Sequence, residues 1–166
     1  MKKIGFIGLG IMGKSMAYHL LNAGYGLNVY TRTKEKAVDL IKAGAVWCDS
    51  VKDCVQEVDA VITIVGFPKD VEEVYFGEGG IIENAKKGTY VIDMTTTSPK
   101  LAKRIYDSAL LKGLYALDAP VTGGDLGAKN GTLTIMVGGE KEAYEACLPI
   151  FEAMGKKLVY EGNAGS

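Results

Sequence analysis

Residues 8–13 read GLGIMG, three glycines at a spacing that lets a chain turn tightly and lay its backbone against a phosphate. The turn follows the apolar run KIGFI and opens IMGKSMAYHLLNAG, a stretch of helical periodicity. That is the setting this fingerprint requires, inside a strand–helix–strand unit about 30 residues long. Within it Gly8 permits the tight turn, Gly10 admits a pyrophosphate, and Gly13 lets helix and strand pack closely. Leu9, Ile11 and Met12 complete the turn, where free N–H groups and the positive end of a helix dipole favour an anion. The ligand implied is a dinucleotide; the competing reading is a bare strand-to-helix turn.

The end of the next strand bears on which dinucleotide. Thr31 stands where an acid would take the ribose diol of NAD, and Arg32 and Thr33 follow with groups suited to a 2′-phosphate. NADP is therefore expected over NAD, unless Arg32 is only one more solvated surface charge. A third candidate is PVTGGDLGAKNGTL at residues 120–133, where the Thr122 hydroxyl and the N–H groups of Gly123 and Gly124 can converge on an anion. Its alternative is a glycine-rich hairpin tip leading into TLTIMVGG.

These residues need a frame that brings them together. Short apolar runs rich in β-branched residues alternate with helical periodicity, the pattern of parallel strands linked by crossover helices. Strands are expected near 3–8, 27–31, 45–47, 60–65, 89–93, 114–118, 132–137 and 156–160. Gly13, Ala17, Leu20 and Gly24 share one face of the first helix, and Gly24 supplies its stop. Ser98, Pro99 and Gly113 bound another helix, with Leu101, Ala102, Ile105 and Ala109 as its apolar face. Pro149 interrupts the helical period of Glu140–Met154, so a kink or two short helices are expected there. The fold class that follows is α/β, a Rossmann-type doubly wound and mostly parallel sheet with helices on both faces.

Composition narrows the function. The 19 Lys and Arg residues balance 20 Asp and Glu without long like-charge runs, which argues against nucleic acid or an anionic membrane as partner. Three cysteines without CxxC spacing and a single histidine argue against a disulfide framework and a zinc site. The glycine-broken run MKKIGFIG is not a signal peptide, and a reducing cytoplasm is the expected location.

GFIGLGIMGKSMAYHL, VIDMTTTSP at 91–99 and DAPVTGGDLGAKNGTLTIMVGG at 118–139 together resemble the β-hydroxyacid dehydrogenase family. That family includes 3-hydroxyisobutyrate dehydrogenase, tartronate semialdehyde reductase and the glyoxylate and succinic semialdehyde reductases. The resemblance runs along essentially the whole chain. It implies a nicotinamide cofactor, with Thr96 on its nicotinamide side and Val65, Gly66, Phe67, Pro68 and Val71 lining the dinucleotide after the fourth strand. Gly66 departs from the proline that many members carry, and Thr95–Thr97 could instead be a capped helix start. The resemblance also implies that Thr122, Gly123 and Gly124 hold the carboxylate of a small substrate, with Thr122 where serine is usual.

Hydride transfer to or from an alcohol carbon also requires an acid/base group. The resemblance places a lysine in that role, after a glycine-rich turn and at the start of a second, all-helical domain; YEGNAGS begins such a turn and the sequence stops at Ser166. Residues 1–166 are accordingly expected to form one NADP-binding domain, with no catalytic residue of its own and the lysine beyond Ser166. Cofactor binding without appreciable turnover is the expectation, with apolar surface bared near the last strand and the 120s, and homo-oligomers formed when the helical domain is present. Asp118 is expected to be structural, His19 to lie on the surface, and Lys100 and Lys103 to face solvent. The alternatives are a non-catalytic nucleotide-binding module, an imine-reductase-like cofactor domain and, weakly, a methyltransferase, which would want an acid near Thr31.

Overall fold

The computed structural model describes all residues 1–166. Nine strands form one sheet: β1 (Lys3–Ile7), β2 (Gly26–Tyr30), β3 (Val46–Trp47), β4 (Ala60–Thr63), β5 (Tyr90–Asp93), β6 (Tyr115–Asp118), β7 (Val121–Thr122), β8 (Leu133–Gly139) and β9 (Gly155–Gly162). Their order is β3-β2-β1-β4-β5-β6-β8-β7, with β9 also paired to β8. Pairing is parallel from β3 to β6, antiparallel where β8 meets β6 and β7, and parallel again between β8 and β9. This is the mostly parallel Rossmann-type sheet expected, with β7 as an additional two-residue strand.

The crossovers carry α1 (Ile11–Asn22), a 3₁₀ turn at Lys34–Ala37, α2 (Val38–Lys42), α3 (Val51–Val55), α4 (Pro68–Phe76), α5 (Ile81–Asn84), α6 (Pro99–Leu111), α7 (Gly124–Asn130) and α8 (Lys141–Met154). Alternation along each central strand sends neighbouring side chains to opposite faces, and helices cover both. Ile4, Phe6 and Ile62 pack with Met16, Ala17 and Leu20 of α1 and with Cys147, Ile150 and Phe151 of α8. Ile7, Val61 and Val91 pack with Cys54 of α3, Val71 and Tyr75 of α4 and Ile105 and Ala109 of α6. No helix is long and apolar enough to cross a membrane.

Two expected boundaries are confirmed in their chemistry. The Ser98 hydroxyl accepts the Leu101 N–H at 3.1 Å, with Pro99 in the first turn of α6. Gly24, at φ +98, follows α1 directly after its C-cap Ala23. Two others are corrected. Residues 141–154 form one helix containing Pro149, not two. Pro149 is exposed, while Ala143, Cys147, Ile150, Phe151 and Met154 are buried on the opposite stripe. Burial at about 1.5–3 kcal/mol per large apolar side chain outweighs the roughly 3 kcal/mol that an interior proline costs. The glycine-rich 120s are likewise not an open loop: Val121–Thr122 pairs antiparallel with β8, as a hairpin would, and Gly124–Asn130 between the two strands is helical.

The chain leaves β1 toward β2 and β3 on one side, then returns to place β4, β5 and β6 on the other. The sheet therefore has its topological switch point between β1 and β4, and a crevice opens beyond their carboxyl ends.

Candidate cofactor site

The glycine turn lies at that switch point, and its three glycines have different reasons to be glycine. Gly8 has φ +100, and a methyl group there would stand 2.0 Å from the Ile64 carbonyl oxygen. A methyl at Gly13 would stand 2.3 Å from the Gly8 carbonyl oxygen. Both are demanded by close packing of α1 and β4 around the turn. Gly10 is otherwise: its φ of −69° suits any residue, it is exposed, and a methyl there would meet nothing within 4 Å. It is also the N-cap of α1, with no side-chain cap and no acid in the first turn, so the terminal N–H groups stay free.

The crevice in front of this turn has a volume of about 840 Å³. Its wall takes in Gly8, Leu9, Gly10, Ile11, Met12 and Gly13, then Thr31, Arg32 and Thr33 from the end of β2, and Val65 and Gly66 from the loop after β4. One crevice thus gathers eleven of the residues singled out in the sequence. The Gly8 N–H donates to the Tyr30 carbonyl at 3.0 Å, tying the turn to the end of β2.

The remaining expected cofactor residues lie differently. Phe67 and Pro68 open α4 and are exposed, and the Phe67 N–H donates to Asp70 Oδ2 at 3.1 Å. Val71 is fully buried, so its side chain packs α4 onto the sheet and does not stand in the crevice. The Thr95 hydroxyl accepts the Val65 N–H at 3.0 Å, which links the loop after β4 to the loop after β5. Because Ser98 caps α6, Thr95–Thr97 are not a helix cap; Thr95 is buried while Thr96 is exposed.

Behind that loop sits a buried polar cluster. Asp93 Oδ1 accepts the Thr63 hydroxyl at 2.9 Å and the Thr95 N–H at 3.1 Å, and Tyr75 OH is 3.0 Å from Thr63 Oγ1. Asp93 Oδ2 has no partner. Burial pushes the Asp93 carboxyl up to about 6, with the neighbouring Asp118 adding to the rise and the donors from Thr95 and Thr63 opposing it. Asp118 is itself raised by burial, and its Oδ1 accepts the Gly165 N–H at 3.1 Å, a structural role.

Thr122, Gly123 and Gly124 are exposed, Gly123 and Gly124 with φ of +128° and +62°. They immediately precede Asp125, which lines the crevice. Leu126 is exposed nearby, whereas Leu158 and Val159 of β9 are half-buried, so the expected apolar exposure is present at the 120s and less so at the last strand. His19 is not a surface residue but half-buried: its Nε2 lies 2.9 Å from the carbonyl oxygens of both Ala128 and Lys129. It fastens the end of α7 to α1, a contact invisible from helix periodicity because its partners lie 109 and 110 residues away. Lys100 and Lys103 are exposed as expected.

Sequence reasoning missed several crevice residues. Lys36 follows Arg32 by four positions, and that spacing was a legible signal for a second cation lining the crevice beside Arg32. Asp49–Lys52, Asp70 and Glu73 reach the crevice from other crossovers, and nothing in their local pattern announces it.

Comparison with known proteins agrees with this geometry. The chain is 66% identical over 165 residues to the uncharacterized oxidoreductase YkwC of Bacillus subtilis, covering 99% of this chain and 57% of that protein. It is 44% identical over 166 residues to the NAD-dependent L-serine dehydrogenase of Pseudomonas aeruginosa, covering all of this chain and 56% of the relative. Among solved structures, Mycobacterium tuberculosis 3-hydroxyisobutyrate dehydrogenase with L-serine superposes with a TM-score of 0.94 at 33% identity, over 99% of this chain and 56% of the other. The chain thus spans just over half the length of the curated relatives it matches. Residues 3–162 match the NAD binding domain of 6-phosphogluconate dehydrogenase, and with the glycine turn at the switch point this shows that the chain belongs to that family, beside the 3-hydroxyisobutyrate dehydrogenases it resembles.

Proposed function

We propose that this chain is the NADP-binding half of an oxidoreductase that moves a hydride between NADP(H) and a small β-hydroxy acid or the matching aldehyde-acid, of semialdehyde or glyoxylate type. Gly10 carries the cofactor reading: neither its backbone angles nor its neighbours require glycine, so the open space above it is left for a ligand. The uncapped N-terminus of α1 faces that space with the charge an anion needs. Arg32, Thr33 and Lys36 at one end of the crevice support NADP over NAD.

When bound, the nicotinamide supplies or takes the hydride. The chain's own residues bind and orient: Thr96 toward the nicotinamide, and Thr122, Gly123 and Gly124 toward the carboxylate of the substrate. No lysine of this chain is assigned as the acid/base group; that group is proposed to come from sequence following Ser166, on a helical domain that also carries the contacts between subunits. The proposed setting is the cytoplasm.

Fluorescence titration with NADPH and NADH tests the cofactor assignment. Arg32→Ala is expected to weaken NADPH about tenfold or more, as the loss of a charge-assisted hydrogen bond does, and to leave NADH within about twofold. Equal losses for the two cofactors reject the preference.

A further inference from the structure

We infer that Asp70 is a specificity-determining residue, which limits how strongly the crevice favours NADP over NAD by holding Arg32 across its mouth. This rests on the assignment of Arg32 to the 2′-phosphate. Arg32 follows β2 and Asp70 lies in the first turn of α4, and both line the same crevice. Arg32 Nη2 and Asp70 Oδ1 are 2.7 Å apart, and Glu73 Oε2 lies 3.9 Å from the same nitrogen.

The two partners are not equally free. The Arg32 side chain is 71% exposed, but that of Asp70 is only 18% exposed, and its other oxygen is committed to the Phe67 N–H at 3.1 Å. The helix start thus holds the carboxylate in place, and the guanidinium is the part that moves. A 2′-phosphate can engage Arg32 only by drawing it from Asp70. It then leaves Asp70 and Glu73 without their cation, facing a group of about two negative charges.

A 2′-hydroxyl makes no such demand. NAD enters with the pair intact, and the hydroxyl can donate to a carboxylate already in position. The lining as a whole points the same way, since three cations face five carboxylates around the crevice. Attraction by Arg32 and repulsion by Asp70 therefore offset each other, and the chain accepts both cofactors with a smaller bias than Arg32 alone would set.

Asp70→Asn tests this, because asparagine retains an oxygen to accept the Phe67 N–H while losing the charge that competes for Arg32. NADPH affinity is expected to rise about three- to tenfold at low ionic strength, NADH to stay unchanged or weaken, and the gain to shrink as salt screens it. Adding Arg32→Ala is expected to remove most of that gain. Glu73→Gln, which breaks no hydrogen bond, is expected to move NADPH in the same direction by less, and it carries the test should Asp70→Asn loosen α4. Unchanged or weaker NADPH binding in these variants overturns the role of Asp70, as does an equal gain for both cofactors. If Arg32→Ala still weakens NADPH selectively in that event, the NADP assignment stands alone; if it does not, both fall together.

Discussion

Gly10→Ala is expected to lose the dinucleotide and keep the fold, whereas alanine at Gly8 or Gly13 is expected to damage the fold itself. A methyl at Gly10 meets nothing within 4 Å and needs no change of backbone angle. Alanine is a poorer N-cap than glycine, but it also restricts the unfolded chain, and the two effects nearly cancel at a few tenths to about 1 kcal/mol each. The melting temperature should then stay within about 4 °C of the parent. The same methyl stands where a pyrophosphate would press against the backbone, so NADPH affinity should fall on the order of tenfold to a hundredfold.

Gly13→Ala forces a methyl against the Gly8 carbonyl oxygen at 2.3 Å and the Ile64 side chain at 2.9 Å, at a cost of about 1–3 kcal/mol. Gly8→Ala adds left-handed backbone strain to its clash with Ile64, and about 2–5 kcal/mol is expected. Urea unfolding and NADPH titration of the three variants separate the effects. A Gly10→Ala chain that binds NADPH like the parent would remove the main support for the cofactor site.

Stability is expected to fall as pH rises from about 4 through 6, with Asp93 as the principal cause. Asp93 is 2% exposed and has one unpartnered carboxyl oxygen, and its folded value of about 6 lies above the roughly 3.9 of an unfolded chain. The folded state therefore binds the proton more tightly than the unfolded state, so the contribution is complete below pH 4 and is lost as Asp93 ionises. Two pH units correspond to about 3 kcal/mol. Asp118, also raised by burial, adds in the same direction, while Asp39 and Asp59, lowered by partners at the surface, act in the opposite one.

Asp93→Asn isolates the buried group. Asparagine can still accept from Thr63 and Thr95 through one oxygen, and its amide can point toward Asp118, which lines the same small cavity. Denaturation across pH 4–8 should show the parent losing most of this increment and the variant losing little of it, so that the variant gains on the parent by about 1–3 kcal/mol toward pH 8. Parallel curves for parent and variant would assign the pH dependence to other groups.

How far the sequence could be read depended on how local each signal was. The eight expected strands and the bounds of α6 were legible because strand alternation, a serine cap and a proline in the first turn act within a few residues. The helix at Gly124–Asn130 was not, since its glycines speak against a helix and its place depends on Ala128 burying itself in the core and on His19 gripping its carbonyl end. The two short helices that Pro149 suggested did not form for a similar reason, because the buried stripe of α8 keeps one helix across it.

The GLGIMG turn, its place after a strand and the groups at Thr31–Thr33 are properties of neighbouring residues, so the amino-acid order alone pointed to a dinucleotide-binding domain. The order assigned Gly8 and Gly13 to the turn and its packing and Gly10 to a ligand, but it could not give the distances behind that division, which only the tertiary structure supplies: how near Ile64 comes to Gly8 and Gly13, and how open the space above Gly10 remains. Nor could it show that Arg32 is already held by Asp70, 38 residues further along the chain. Contacts of that kind exist only once parallel crossovers bring the ends of separate strands to one crevice.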